Sequence, residues 1–340
     1  MGTGADRPLP DGFSFRGNPG NGVRMKKVLG VAAGAVGVLA AAGLGGTAYF
    51  YRRTMKRYNA KLERTMKMSG IDWSQYMPLM DKRKEFMMAQ PHEDVHIMSK
   101  DGLKLHGVFF PGPEDSKKLV ICFHGYTSQC MSDYIGLSDY YFKRGFKMLL
   151  VDARAHGESE GTYIGFGCPD RYDALGWINW VIGQCGEDIR IFLHGTSMGG
   201  ATVLMTSGLA LPKQVKGIVS DCGFTSPKEV FTHVLHHMYH LPAFPMIPLA
   251  DAINKKKAGY GLEECNAAVE VRKATVPILL IHGDGDTFVP CWMCEEIYKN
   301  CASPVKKLIV PGAAHAESYY KEMETYEKAL DDFYTENFVA

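Results

Sequence analysis

A Gly-x-Ser-x-Gly run with a strand before it and a helix after it constrains this chain more than any other feature. Gly195-Thr196-Ser197-Met198-Gly199 follows the apolar run Ile189-Arg190-Ile191-Phe192-Leu193 and opens a small, apolar stretch from Gly200 to Ala210. A strand can turn sharply into a helix there only if larger neighbours do not clash, which is what the glycines provide. Ser197 then projects at the carboxyl end of a strand, beside a helix N-terminus that favours developing negative charge. The simpler alternative is a helix-start serine that only caps.

A nucleophilic serine needs a base, and the base needs an orienting acid. Both come later in the chain. Val276-Pro277-Ile278-Leu279-Leu280-Ile281 reads as a buried strand and leads into His282-Gly283-Asp284-Gly285-Asp286. Lys306-Lys307-Leu308-Ile309-Val310 reads as another strand and leads into Pro311-Gly312-Ala313-Ala314-His315. Each candidate lies just past a strand's carboxyl end, where open α/β sheets place their sites. Asp221, ending an earlier strand, and Asp284 compete with Asp286 for the acid role.

These motifs resemble the α/β-hydrolase superfamily, in its single-domain serine esterase and lysophospholipase-like branch. The resemblance runs from about Glu93 to the C-terminus. It rests on His124-Gly125-Tyr126-Thr127, Asp152-Ala153-Arg154-Ala155-His156-Gly157-Glu158-Ser159, the Ser197 turn, Gly283 to Pro290, and the late His315. It implies Ser197 as nucleophile, Asp286 as acid and His315 as base. It also implies an oxyanion hole from the backbone N–H groups of Met198 and Tyr126. The family usually has Gly where Ala155 stands, so the local loop shape departs from the pattern. The implied fold is a mostly parallel eight-stranded sheet with helices on both faces and a small helical cap insert at about 223–275.

The strands read from the sequence are Glu93–Met98, Leu103–Phe110, Leu119–Phe123, Phe146–Val151, Ile189–His194, Val215–Ser220, Val276–His282 and Lys306–Val310. Helical stretches such as Asp170–Ile182 and Ser318–Asn337 lie between or after them, which implies a mostly parallel sheet covered on both faces. Within the insert, the proline-punctuated Leu241 to Pro248 suits either an acyl pocket or simple packing of the cap. His233, His237 and His240 share a helical face, and Cys291-Trp292-Met293-Cys294 is a lone C-x-x-C. Neither is accompanied by the further ligands a metal site needs, so no metal and no cofactor is expected. Asp152 and His156 are expected to brace a loop rather than to react.

The N-terminal part reads differently. Residues 1–27 are Gly- and Pro-rich and read as a disordered tail, with Met25-Lys26-Lys27 as an alternative start. Val28 to Tyr51 is an uncharged run of 24 residues flanked by basic residues and carrying Tyr49 and Tyr51 at its end. That length suits a transmembrane anchor, with a cleaved signal as the competitor. Residues 52–90 read as a juxtamembrane helical stalk and 91–340 as the hydrolase domain. The expected location is therefore a single-pass membrane protein, with the basic residues after the run favouring a cytoplasmic domain. A formal net charge of +1 gives no argument for nucleic acid. The expected partners are a small-molecule ester or lipid-like substrate and a membrane bound through the N-terminal helix. The expected activity is carboxylic ester hydrolysis. Thioesterase, lysophospholipase and serine peptidase readings share the fold, and a non-catalytic tethered binding module is the alternative of another class.

Overall fold

The computed structural model describes residues 45–57 and 71–338. Thr47–Ala340 forms one compact unit, which holds the whole sheet. Its strands are β1 (Glu93–Met98), β2 (Lys104–Phe110), β3 (Lys118–Phe123), β4 (Lys147–Val151), β5 (Arg190–Thr196), β6 (Val215–Asp221), β7 (Ile278–Gly283) and β8 (Val305–Val310). The helices are α1 (residues 45–55), α2 (Met77–Met88), α3 (Ile135–Lys143), α4 (Asp170–Cys185), α5 (Met198–Thr206), α6 (Pro227–Tyr239), α7 (Met246–Ala258), α8 (Ala267–Glu270), α9 (Trp292–Asn300), α10 (Ser318–Lys321) and α11 (Met323–Phe338).

The strands form one eight-stranded sheet in the order β1-β2-β4-β3-β5-β6-β7-β8. β2 is antiparallel to both neighbours, and every pairing from β4 to β8 is parallel. Continuous apolar runs make this possible, because successive side chains point to opposite faces and both faces are covered. In β3, Leu119 and Ile121 join one core with Trp177 of α4 and Ala201 of α5. Val120 and Cys122 join the other with Tyr141 of α3 and Phe333 of α11. β7 begins at Ile278 rather than Val276. Pro277 has no N–H to give a ladder and contributes only its carbonyl, which accepts from Ile218 N at 3.0 Å. The helix expected over Ser318–Asn337 is broken at Glu322 into α10 and α11.

Because β3, β5, β7 and β8 are parallel, their carboxyl ends face the same way. The loops after them carry Tyr126, Ser197, Asp286 and His315 to one edge of the sheet. Over that edge lie α6 and α7.

The membrane location and the membrane partnership through the N-terminal run are corrected. Among the described residues, no helix is long and apolar enough to cross a membrane. Residues 28–44 of the run lie outside the described residues, as does the 1–27 segment. The end of the run belongs to α1, which is amphipathic: Thr47, Tyr51 and Met55 are buried at helical spacing, while Ala48, Tyr49 and Arg52 are exposed. Tyr51 and Met55 retain 6% and 2% of their accessibility and belong to the main core. Apolar composition alone does not say whether such a segment meets lipid or protein, and here its end meets protein. α2, in the segment read as a stalk, packs on α3 with Met87 buried.

Candidate active site

The turn at Ser197 is as tight as its sequence requires. A Cβ on Gly195 would come within 2.1 Å of the Gly199 carbonyl oxygen, and one on Gly199 within 1.9 Å of that of Phe123. Only glycine fits at either place. Ser197 itself has φ 55° and ψ −112°, a conformation costly for a residue with a side chain. Its N–H is fixed by the Asp221 carbonyl at 2.8 Å, and its carbonyl accepts from Ala201 N at 2.9 Å. All nine residues of α5 are buried, so the helix that starts here is locked between sheet and neighbouring helices.

Ser197 Oγ lies 2.8 Å from His315 Nε2, and His315 Nδ1 lies 2.7 Å from Asp286 Oδ2. With its proton on Nδ1, the ring donates to Asp286 and accepts from the serine hydroxyl. Asp286 is held from its other oxygen: Phe288 N and Val289 N donate to Oδ1 at 2.9 and 2.8 Å. His282 donates to the Val289 carbonyl at 2.8 Å and lies 3.5 Å from Asp286, buttressing the same turn.

Burial opposes the charge on both partners. Burial alone would raise Asp286, but the His315 charge and hydrogen bond, with His282 and Val289 N, hold it below the usual carboxylate range. Burial alone would lower His315, but the charge and hydrogen bond of Asp286 outweigh it and raise the imidazole. His282 is lowered by its burial. The site therefore keeps an ionised acid under an unusually basic imidazole.

The competing acids have other partners. Asp284 Oδ1 accepts from Gly312 N at 2.5 Å, tying the loop after β7 to the loop after β8. Asp221 is buried, and its Oδ2 accepts from Tyr326 OH at 3.0 Å while Oδ1 has no hydrogen-bond partner. Burial pushes it up to about 7. Asp152 braces a loop, accepting from Cys130 N at 2.9 Å and Glu158 N at 3.0 Å and bonding to His106 Nδ1 at 2.7 Å. His156 Nε2 accepts from Thr127 N at 3.3 Å, just beyond Tyr126.

Two cavities meet at Ser197. The larger, about 370 Å³, runs under α6 and α7 between residues such as Phe166, Val234, Leu235 and Ile247. The smaller, about 150 Å³, also reaches His315 and carries Ser132, Asp133 and several tyrosines. Tyr126, Thr127 and Phe288 border both. Met198 heads α5 directly after the serine, and the Gly125-Tyr126 loop approaches it, with Tyr126 bordering both cavities. Gly125 leaves room for this approach, since a Cβ there would touch Ser197 Cβ at 3.3 Å. Of the proline-punctuated segment, Met246 and Ile247 line the larger cavity, whereas Phe244 points outward and is 76% exposed.

Other sequence features lie elsewhere. The His233 and His237 rings lie tilted to each other with centroids 4.2 Å apart, with His233 Nε2 bonded to the Thr287 carbonyl at 3.0 Å, while His240 is past the end of α6 in a left-handed cap. All nine cysteines are free, and burial raises Cys291 and pushes Cys294 up to about 12. The site also contains residues that no motif assigns a role: His282, Phe288, whose ring lies 5.0 Å from that of His315, and the α1 residues along the larger cavity. His282 and Phe288 flank the motif acid, which is the signal that marks them. α1 carries no motif.

The serine aminopeptidase S33 family model matches residues 114–256, which span β3 to β6, α6 and most of α7. The Bacillus subtilis protein YqkD is 28% identical over 239 residues, covering 70% of this chain and 77% of that protein. YfhR of Escherichia coli is 28% identical over 251 residues, covering 71% and 80%. Among solved structures, an esterase of Pyrococcus furiosus superposes with a TM-score of 0.59 at 21% identity, covering 74% of this chain and 93% of that one. With the sheet order, the glycine-enforced turn and these matches together, the chain has the α/β-hydrolase fold and is similar over residues 114–256 to the serine aminopeptidase S33 family.

Proposed function

We propose that the chain is a serine hydrolase that cleaves carboxylic esters with an apolar acyl group. The observation that carries this reading is the continuous chain of contacts from Ser197 Oγ through His315 to Asp286, at the junction of the two cavities. The family resemblance of the motifs implies the same residues in the same roles, and the Pyrococcus furiosus neighbour is an esterase.

In this reading the acyl group lies in the larger cavity and the leaving alcohol in the smaller. His315 Nε2 takes the Ser197 proton as Oγ attacks the carbonyl carbon. The oxyanion lies against the N–H groups of Met198 and Tyr126, each such donor being worth about 10²–10³ in turnover. The tetrahedral species collapses, and the proton on Nε2 passes to the departing alkoxide. Water then repeats the sequence on the acyl-enzyme and releases the acid. Asp286 remains ionised and stabilises the imidazolium in each half. No step calls on a metal or a cofactor.

Cleavage at a free peptide N-terminus is the second reading. It is favoured by the aminopeptidase description of the matching family model and by the carboxyl groups of Asp133 and Asp221 on the wall of the smaller cavity. The apolar lining of the larger cavity favours the ester. A p-nitrophenyl ester series beside aminoacyl p-nitroanilides separates them: esters should be turned over and anilides spared. The reverse order of rates would replace the first reading with the second.

A further inference from the structure

The larger cavity is walled on one side by a segment that lies outside the sheet, its crossovers and the cap. Thr47, Phe50, Tyr51 and Thr54 of α1 line it, opposite Leu235 and Ile247 of the cap helices. The helix is fastened at three places. Tyr51 OH donates to Oδ1 of the buried Asn254 in α7 at 3.1 Å, and Asn254 in turn donates to the Tyr260 carbonyl at 2.9 Å. The Thr54 carbonyl accepts from Tyr126 OH at 3.1 Å, so α1 touches a residue that borders both cavities at Ser197. Beyond the helix the chain pairs with the loop before α4. Ile164 N donates to the Met55 carbonyl and Arg57 N to the Thr162 carbonyl, both at 2.8 Å. The Arg57 guanidinium also bonds to the carbonyls of Gly157 and Ser159. Phe50 and the exposed Tyr239 both line the cavity, and their rings meet edge-on at 5.0 Å.

We propose that α1 is the specificity-determining wall of the acyl cavity, with Phe50 and Tyr239 limiting how far an acyl chain extends. The proposal rests on the reading of Ser197 as nucleophile and of the larger cavity as the acyl site. Three attachments that join one short helix to the cap, to the Tyr126 loop and to the loop before α4 hold it in a fixed position. A fixed apolar wall converts chain length into binding energy, because each methylene that gains or loses burial changes binding about fourfold. The cap alone does not define this cavity. A segment far upstream of the catalytic motifs supplies one side of it, and with it the selectivity.

The test uses the full chain and p-nitrophenyl butyrate, octanoate and dodecanoate. The readout is the ratio of kcat/KM for dodecanoate to that for butyrate. Phe50→Ala should raise this ratio by about fourfold or more, and Phe50→Trp should lower it by a similar factor. Arg52→Ala, on the exposed side of the same helix, should leave the ratio unchanged. Ratios within twofold of wild type in both Phe50 variants, with their melting temperatures preserved, would overturn the proposal. So would an equal shift in Arg52→Ala. A measurement on the unaltered protein guards against misfolded variants. An octylboronic acid bound at Ser197 should slow amide exchange across residues 50–55, whereas propylboronic acid should not. Equal exchange with both would also overturn it. If the unaltered protein hydrolyses none of the esters and Ser197 takes no fluorophosphonate label, the catalytic reading fails and this proposal falls with it. If it hydrolyses them with a flat response to Phe50, only the wall fails.

Discussion

Ala155 shows how much a single residue can depart from its family pattern without moving the fold. It stands at φ 60°, in the left-handed region that glycine occupies at no steric cost, and it is buried. A left-handed residue bearing a Cβ costs about 1–2 kcal/mol. Part of this is offset because alanine restricts the unfolded chain more than glycine, by about 0.4–1 kcal/mol. Ala155→Gly should therefore be stabilising by roughly 0.5–1 kcal/mol, read as a small rise in Tm. A fall in Tm would show that the methyl group's packing outweighs the strain. At Asp286 the effect is on rate. Asp286→Asn should lower turnover by roughly 10³–10⁴-fold, far more than Asp284→Asn or Asp221→Asn. The acid limb of the residual activity should also move. A neutral His315 is the active form, and Asp286 raises its pKa above the ordinary 6.5, so in the unaltered protein activity falls as pH drops through that raised value. Without the Asp286 charge, burial lowers the imidazole and the limb shifts to lower pH. A limb that stays in place in the variant would dissociate Asp286 from His315.

At the scale of elements, the sheet was legible because its strands are apolar runs ending at glycine, proline and charged loops. The boundaries moved by a residue or two where backbone chemistry intervened, as at Pro277. The elements near Ser197, His315 and Asp286 were legible for a related reason: a sharp turn leaves glycines in the sequence, and a carboxylate that accepts from the backbone N–H groups of Phe288 and Val289 needs a fixed spacing. α1 was misread because an uncharged run says how apolar a segment is and not what it packs against. The informative signal was the spacing of Thr47, Tyr51 and Met55, which is that of a helix buried on one side. The histidines of α6 were misleading in a milder way. His240 lies past the helix end, so the shared face expected of His233, His237 and His240 extends only over the first two.

The whole molecule couples its stability to pH through a group outside the Ser197–His315–Asp286 chain. Asp221 retains its proton in the folded state up to about 7, against 3.8 for an ordinary aspartate. Between those values the folded state binds more protons than the unfolded one. The group's contribution to stability therefore falls as pH rises through that window and is level above it. Asp221→Asn removes this dependence, so urea midpoints of the variant should gain on the unaltered protein as pH rises through the window. A pH-independent difference would contradict the assignment. Reduction should leave Tm unchanged, since all nine cysteines are free thiols. A large fall in Tm on reduction would mean that some of them are paired.

The central claim, that Ser197 is a nucleophile activated by His315, is tested most directly by one comparison. Unaltered protein and Ser197→Ala are treated with a fluorophosphonate probe and assayed in parallel with p-nitrophenyl octanoate. The unaltered protein should take up one label per chain, at Ser197, and hydrolyse the ester. The variant, with an unchanged Tm, should take up none and lose activity by several orders of magnitude. A folded variant that still labels, or that retains more than about a tenth of the activity, a loss far short of that expected for a triad serine, would contradict the account.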